Sequence, residues 1–152
     1  MSSIFEGSNA STVAKEFSER VWLSWTNRGH QPDQLPSTET LSNAVDFSIQ
    51  ADVECTLINC SHADMASNSI KELKRAPKFG IFANSSRFKE VDLSIATKDV
   101  DAIHHLNSEI ISAKEYALNA LDWAKEGAFV VGGCCGTTVE HTKEIKLLLN
   151  SK

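Results

Sequence analysis

The chain has 152 residues, 41% of them hydrophobic, with a formal net charge of -5 at pH 7. That length buries one sizeable core, so a single domain over 1–152 is expected, and the acidic balance argues against a general binder of nucleic acid or anionic membranes. Met1 to Gly7 have neither the basic start nor the apolar stretch of a secretory signal, and no apolar run reaches transmembrane length, which points to a cytoplasmic protein.

Residues 1–10 are expected to be disordered. Ser11 is placed to cap a short helix with Val13 and Phe17 on one face. Val21-Trp22-Leu23-Ser24-Trp25 then reads as a strand, followed by a loop from Asn27 to Pro36. Leu41, Ala44, Val45 and Ile49 recur at helical spacing, and Thr56-Leu57-Ile58-Asn59-Cys60 reads as the second strand. A polar loop and a short helix around Ile70 to Leu73 lead into the third strand, Phe79 to Ala83. Residues 84–108 show no single period and read as loop with one short helix.

From Ser108 to Glu126 the pattern is helical, with Ser112 and Glu115 forming a capping box if the helix starts late and Gly127 at the C-terminal cap. Ala128 to Val131 is the fourth strand. Thr137 and Glu140 have the spacing of another capping pair, and Ile145, Leu148 and Leu149 face inward along the last helix. Strands alternating with helices predict an α/β fold, four βα units around a parallel sheet. In such folds function collects where strands end and βα loops begin. Ser24, Asn59, Cys60, Asn84, Cys134 and Cys135 all fall at such ends.

Four cysteines in a reducing compartment read as thiols or metal ligands. Neighbouring strand residues point to opposite faces, so Cys134-Cys135 at a strand end is awkward for packing. The flanking Gly132, Gly133 and Gly136 allow a sharp turn that could aim both sulfurs at one point. Cys60 ends a second strand, and two parallel strands would bring the three thiols to one end of the sheet. Three thiolates with an open fourth position is the pattern of a catalytic zinc site. Cys55 lies at the other end of its strand and is assigned to packing. His62 and His141 are further candidate ligands, against which stand surface or capping roles. His104-His105 read as solvated, and Trp22, Trp25 and Trp123 as core or interface residues. Asn59 and Gly133, beside the thiols, are the candidate substrate contacts. A different fold with a structural or redox-active cysteine turn is the remaining alternative.

Gly132-Gly133-Cys134-Cys135-Gly136-Thr137-Thr138-Val139-Glu140-His141 resembles the terminal signature of the homocysteine S-methyltransferase family, in which proline usually stands where this chain has Val139. Ile58-Asn59-Cys60 resembles the family's Val-Asn-Cys strand end, Phe82-Ala83-Asn84-Ser85 its Tyr-Pro-Asn-Ser, and Val21-Trp22-Leu23-Ser24-Trp25-Thr26 the strand ending in Ser-Phe-Thr. Trp123 falls where a tryptophan commonly precedes the final strand. The resemblance runs from about residue 11 to the C-terminus.

It implies a zinc enzyme that transfers a methyl group to homocysteine to give methionine, with Cys60, Cys134 and Cys135 as zinc ligands and the substrate thiol in the fourth position. No catalytic residue beyond the metal site is implied. A (β/α)8 barrel needs about 250 residues, so the chain is expected to be truncated, its strands corresponding to the fifth to eighth. The family's Asp-Gly-Gly segment and Glu-Thr strand end have no counterpart here, and Phe5-Glu6 lies too near the first strand to replace the latter. Open sheet edges would then be covered in a homodimer or by a separately encoded N-terminal half. The alternative is an inactive zinc-binding half-barrel remnant or interaction module.

Overall fold

The computed structural model describes residues 1–17, 20–27, 29, 31–89 and 108–151. Helix α1 spans Ile4–Phe17, so a helix stands where residues 1–10 are expected to be disordered. Two interactions explain it. The Glu6 carboxylate accepts from the Ser2 N–H and the Ser2 hydroxyl, each at 2.8 Å, tying down the helix start. Gly7 lies on the Trp25 indole, where a Cβ would come within 2.4 Å of the ring. Ser11 is inside this helix and not at its cap, donating to the Ser8 carbonyl at 3.1 Å, and Val13 faces solvent.

The remaining elements are β1 Trp22–Trp25, α2 Leu41–Gln50, β2 Cys55–His62, α3 Ala63–Asn68, α4 Ile70–Leu73, β3 Phe79–Asn84, β4 Ser86–Phe88, β5 Ser108–Ile110, α5 Ala113–Lys125, β6 Val130–Gly133 and α6 Val139–Asn150. Four of the strands form one parallel sheet in the order β1-β2-β3-β6. Each step of the winding moves one strand in the same direction. A doubly wound sheet would reverse at a switch point; this one does not.

Register and alternation divide the sheet into two faces. Leu23, Trp25, Ile58, Ile81 and Ala83 form a buried row. Trp25 is fully buried and donates its indole N–H to Ser48 Oγ of α2 at 3.0 Å. Trp123 of α5 is likewise core, its indole N–H on Ser67 Oγ at 2.7 Å. Trp22 from one edge strand and Phe129, just before the other, meet edge-to-face at 6.2 Å. Their strands stand three spacings apart, about 14 Å along a flat sheet, so the sheet curls strongly. Trp22 remains 43% exposed and Phe129 56%.

Helix boundaries follow local chemistry. The capping box is present: the Glu115 N–H donates to Ser112 Oγ at 3.3 Å and the Ser112 N–H to Glu115 Oε2 at 3.1 Å. Gly127, at φ +100, ends α5 as a Schellman motif, with its N–H on the Ala124 carbonyl and the Ala128 N–H on that of Trp123. In α2 Ser48 takes the buried place expected for Ile49, which is largely exposed. Ala63–Asn68 is helical where a loop is expected. The described part of 84–108 holds an antiparallel ribbon, β4 with β5, and no helix; residues 90–107, with His104 and His105, lie outside the described residues. Among the described residues no helix is long and apolar enough to cross a membrane.

Candidate metal centre

Strict alternation along β2 would send the Cys60 side chain the way of Ile58, into the helix layer. Two departures redirect it. The β2–β3 register shifts between Asn59 and His62, a bulge, and Cys60 adopts φ +50. For a residue with a Cβ that left-handed conformation costs about 1–3 kcal/mol and is held by its surroundings, typically at functional sites. Cys60 thus emerges at the carboxyl end of the sheet.

The second contribution comes from the turn after β6. The Thr137 N–H donates to the Cys134 carbonyl at 3.2 Å, and Gly136 between them has φ +76, as the third position of a type II turn requires. The turn is pinned to the end of β3. The Cys134 N–H donates to the Ala83 carbonyl at 2.8 Å, the Cys135 N–H to Asn84 Oδ1 at 3.1 Å, and the Ser85 N–H to the Cys135 carbonyl at 3.0 Å. Beneath it the buried Tyr116 hydroxyl lies 2.8 Å from the Ala83 carbonyl and 2.7 Å from that of Gly132. Burial raises the Tyr116 pKa, so the phenol stays protonated as a donor between the two strand ends.

Together these place the sulfurs of Cys60, Cys134 and Cys135 within 4.8 Å of one another, with 4.0 Å between Cys134 and Cys135. All are free thiols. Tetrahedral zinc with bonds of about 2.3 Å requires sulfurs about 3.8 Å apart, so a cation fits with small side-chain adjustments. Burial pushes the Cys60 thiol up to about 12, helped by hydrogen bonding and charge repulsion from Cys134 and then Cys135. The cleft above the sulfurs, about 850 Å³, is walled by Thr26, Asn27, Ser61, Ser85 and Ser86. Among the described residues lining it there is no lysine, arginine, aspartate or glutamate. Besides the cysteines, His62 is the one titratable side chain among them, and three converging thiolates carry the negative charge that a bound divalent cation would offset.

Cys55 is buried at the other end of β2, and burial raises its thiol pKa to about 11. Neither described candidate histidine joins the cluster. His62 is buried with Nδ1 2.8 Å from Ser86 Oγ. His141 Nδ1 accepts the Thr138 N–H at 3.1 Å, and its ring stands edge-on to Tyr116. The last helix is therefore capped by Thr138 and His141, one residue later than the expected pair Thr137 and Glu140; Thr137 Oγ1 instead donates to the Cys134 carbonyl at 2.7 Å. Asn59 lies beside Cys60, with its amide Nδ2 3.6 Å from the sulfur. Gly133 ends β6 against Ala83, and a Cβ there would meet the Thr137 side chain at 2.4 Å. Sequence reasoning missed the supporting role of Tyr116; Asn84, as a polar strand end, carried a signal.

A family-level sequence comparison matches residues 1–149 to "Homocysteine S-methyltransferase". The chain is 26% identical over 136 residues to the homocysteine S-methyltransferase YbgG of Bacillus subtilis, covering 88% of this chain and 39% of that protein. Among solved structures, the apo form of the homocysteine methyltransferase MmuM from Escherichia coli aligns with TM-score 0.60 at 18% identity, over 91% of this chain and 43% of that one. The metallated form aligns with TM-score 0.62 at 18% identity, over 91% and 39%. At such identity the structures support the fold alone. The chain spans about 40% of the length of these relatives.

Proposed function

The chain belongs to the homocysteine S-methyltransferase family, and we propose that Cys60, Cys134 and Cys135 hold a zinc ion at which homocysteine is methylated to methionine. The observation that carries this is the convergence of three sulfurs within 4.8 Å of one another, beside a cleft that Cys60 and Cys135 line. Zinc held there would supply the Lewis acidity that lowers the pKa of an incoming thiol, which free in water is mostly protonated at neutral pH. The chain's own part is positional. The bulge at Cys60 and the pinned turn after β6 leave one side of the sulfur triangle facing the cleft. Asn59, whose amide has a second N–H besides the one on Cys60, and Gly133, next to Cys134 at the end of β6, are the proposed substrate contacts. In the transfer, the bond from methyl carbon to donor breaks as the bond to homocysteine sulfur forms; the donor leaves demethylated and the thiol proton goes to solvent. Such a thiol site belongs in a reducing compartment, the cytoplasm.

The unreversed order β1-β2-β3-β6 and the curl of the sheet support reading the four units as strands five to eight of a (β/α)8 barrel. On this reading the sheet edges at β1 and β6 are covered by further strands, and light scattering of residues 1–152 after size exclusion tests it: a stable monomer at micromolar concentration argues against it.

The lack of any aspartate or glutamate among the described residues lining the cleft, where a substrate amino group would need a counter-charge, favours one second reading, a chain that binds zinc without turnover. X-ray absorption of the zinc-loaded protein separates the two. Addition of homocysteine changes the shell from three sulfurs and a light atom to four sulfurs if substrate binds. An unchanged shell supports the inactive zinc-binding form, and a chain that takes up no zinc overturns both.

A further inference from the structure

Cys60 is the only one of the three clustered sulfurs for which a side-chain amide contact is recorded among the described residues. Asn59 Nδ2 lies 3.6 Å from Cys60 Sγ, and the other end of the same amide, Oδ1, accepts the Thr26 hydroxyl at 3.2 Å. Thr26 reaches Asn59 because the β1–β2 register, with Trp25 opposite Ile58, brings the next residue of each strand side by side. We propose that Thr26 is a positioning residue for the metal-binding sulfur, orienting the Asn59 amide so that its N–H, and not its oxygen, faces Cys60. The proposal rests on the reading of Cys60 as a metal ligand.

The chemistry decides the direction of the chain of bonds. A side-chain amide has nearly the same shape either way round, so its hydrogen-bond partners set which end points where. A thiolate sulfur is an acceptor only, so the amide nitrogen must face it. The oxygen then faces Thr26, whose hydroxyl donates. Residue 26 needs a hydroxyl for this; size alone does not suffice. Three thiolates on a divalent cation leave the centre negative, and an N–H aimed at one sulfur draws off part of that charge. Partners of this kind tune a metal's ligands and orient them.

The test uses the full chain loaded with cobalt(II), whose sulfur-to-metal charge-transfer absorption reports the donor strength of the thiolates. Thr26→Val keeps the shape and removes the hydroxyl; Thr26→Ser restores it. The expected result is a shift of the band to longer wavelength in Thr26→Val, with cobalt affinity lowered about tenfold, and return of both to the original values in Thr26→Ser. Asn59→Asp, which sets an acceptor against the sulfur, shifts the band in the same direction and keeps the test decisive if the valine variant does not fold. An unchanged band in folded, cobalt-loaded Thr26→Val overturns the relay while the metal reading stands. Equal shifts in the valine and serine variants also overturn it, since packing and not the hydroxyl would then be responsible. An unaltered chain that takes up no cobalt removes the metal reading and the relay with it.

Discussion

The two ends of β2 carry the same residue type in opposite circumstances. Cys55, at the amino end, is buried in regular strand geometry and joins no metal-ligating cluster among the described residues. Cys60, at the carboxyl end, sits in a bulge with a left-handed backbone and is one of three convergent sulfurs. The amino end is drawn together by apolar contact, with Trp22 against Phe129 and the Lys78 ammonium 4.8 Å from the Phe129 ring centroid. The carboxyl end opens into a cleft walled by hydroxyls and amides. A cysteine is therefore read by the backbone that presents it. Regular geometry makes it a small apolar filler, and a strained strand end lets it join a cluster of thiols.

The largest break in that contrast is expected from serine at the carboxyl-end cysteines. Cys60→Ser, Cys134→Ser and Cys135→Ser should each weaken zinc binding more than 100-fold, beyond what loss of an outer-shell partner causes, whereas Cys55→Ser leaves it unchanged; competition against a chelator measures both. Equal zinc loss from Cys55→Ser would show that the wrong third ligand has been chosen. In stability the order reverses. Cys55→Ser places a hydroxyl among apolar neighbours and should cost about 1–3 kcal/mol in urea unfolding of the metal-free chain.

Gly136→Ala should cost about 1–2 kcal/mol, because its φ of +76 disfavours a Cβ and Ser85 Oγ lies 2.6 Å from where that atom would be. The same variant should loosen zinc by tilting the turn, and unaffected unfolding and zinc affinity would refute the account of that turn. The smallest effect is alkaline. Burial raises the Cys55 thiol from 9.0 to about 11, so its folded state keeps a proton that the unfolded chain gives up. The associated stability is complete below pH 9 and is lost as pH rises toward 11, roughly 1 kcal/mol by pH 10. Metal-free Cys55→Ala should show a correspondingly shallower fall over that window; parallel curves would remove this account.

The parallel sheet and its carboxyl-end cluster were legible because they rest on local, repeated signals. Apolar runs marked the strands, the Ser112–Glu115 pair and Gly127 marked the ends of α5, and three glycines around two cysteines marked the turn. Other features depend on contacts distant in sequence. Helix α1 begins at Ile4 because Gly7 fits the Trp25 ring, which no local pattern announces. The left-handed backbone at Cys60 is hidden for a sharper reason: cysteine at that φ is an exception to propensity, so composition points away from it. The cap at Thr138 instead of Thr137 turns on the demand of the Cys134 carbonyl for a hydroxyl donor. Asn59 reads from sequence as a substrate contact, while its bond to the Cys60 sulfur depends on the register that sets Thr26 beside it.

The bulge at Cys60 carries a lesson for anyone transplanting this centre into another scaffold. Copying three cysteines onto the ends of two parallel strands would leave the first sulfur facing the helix layer, since a regular strand aims position 60 the same way as Ile58. The host would also need one strand willing to lose register for two residues and a neighbour rigid enough to hold a disfavoured φ. What must be grafted is a kink with a thiol on it.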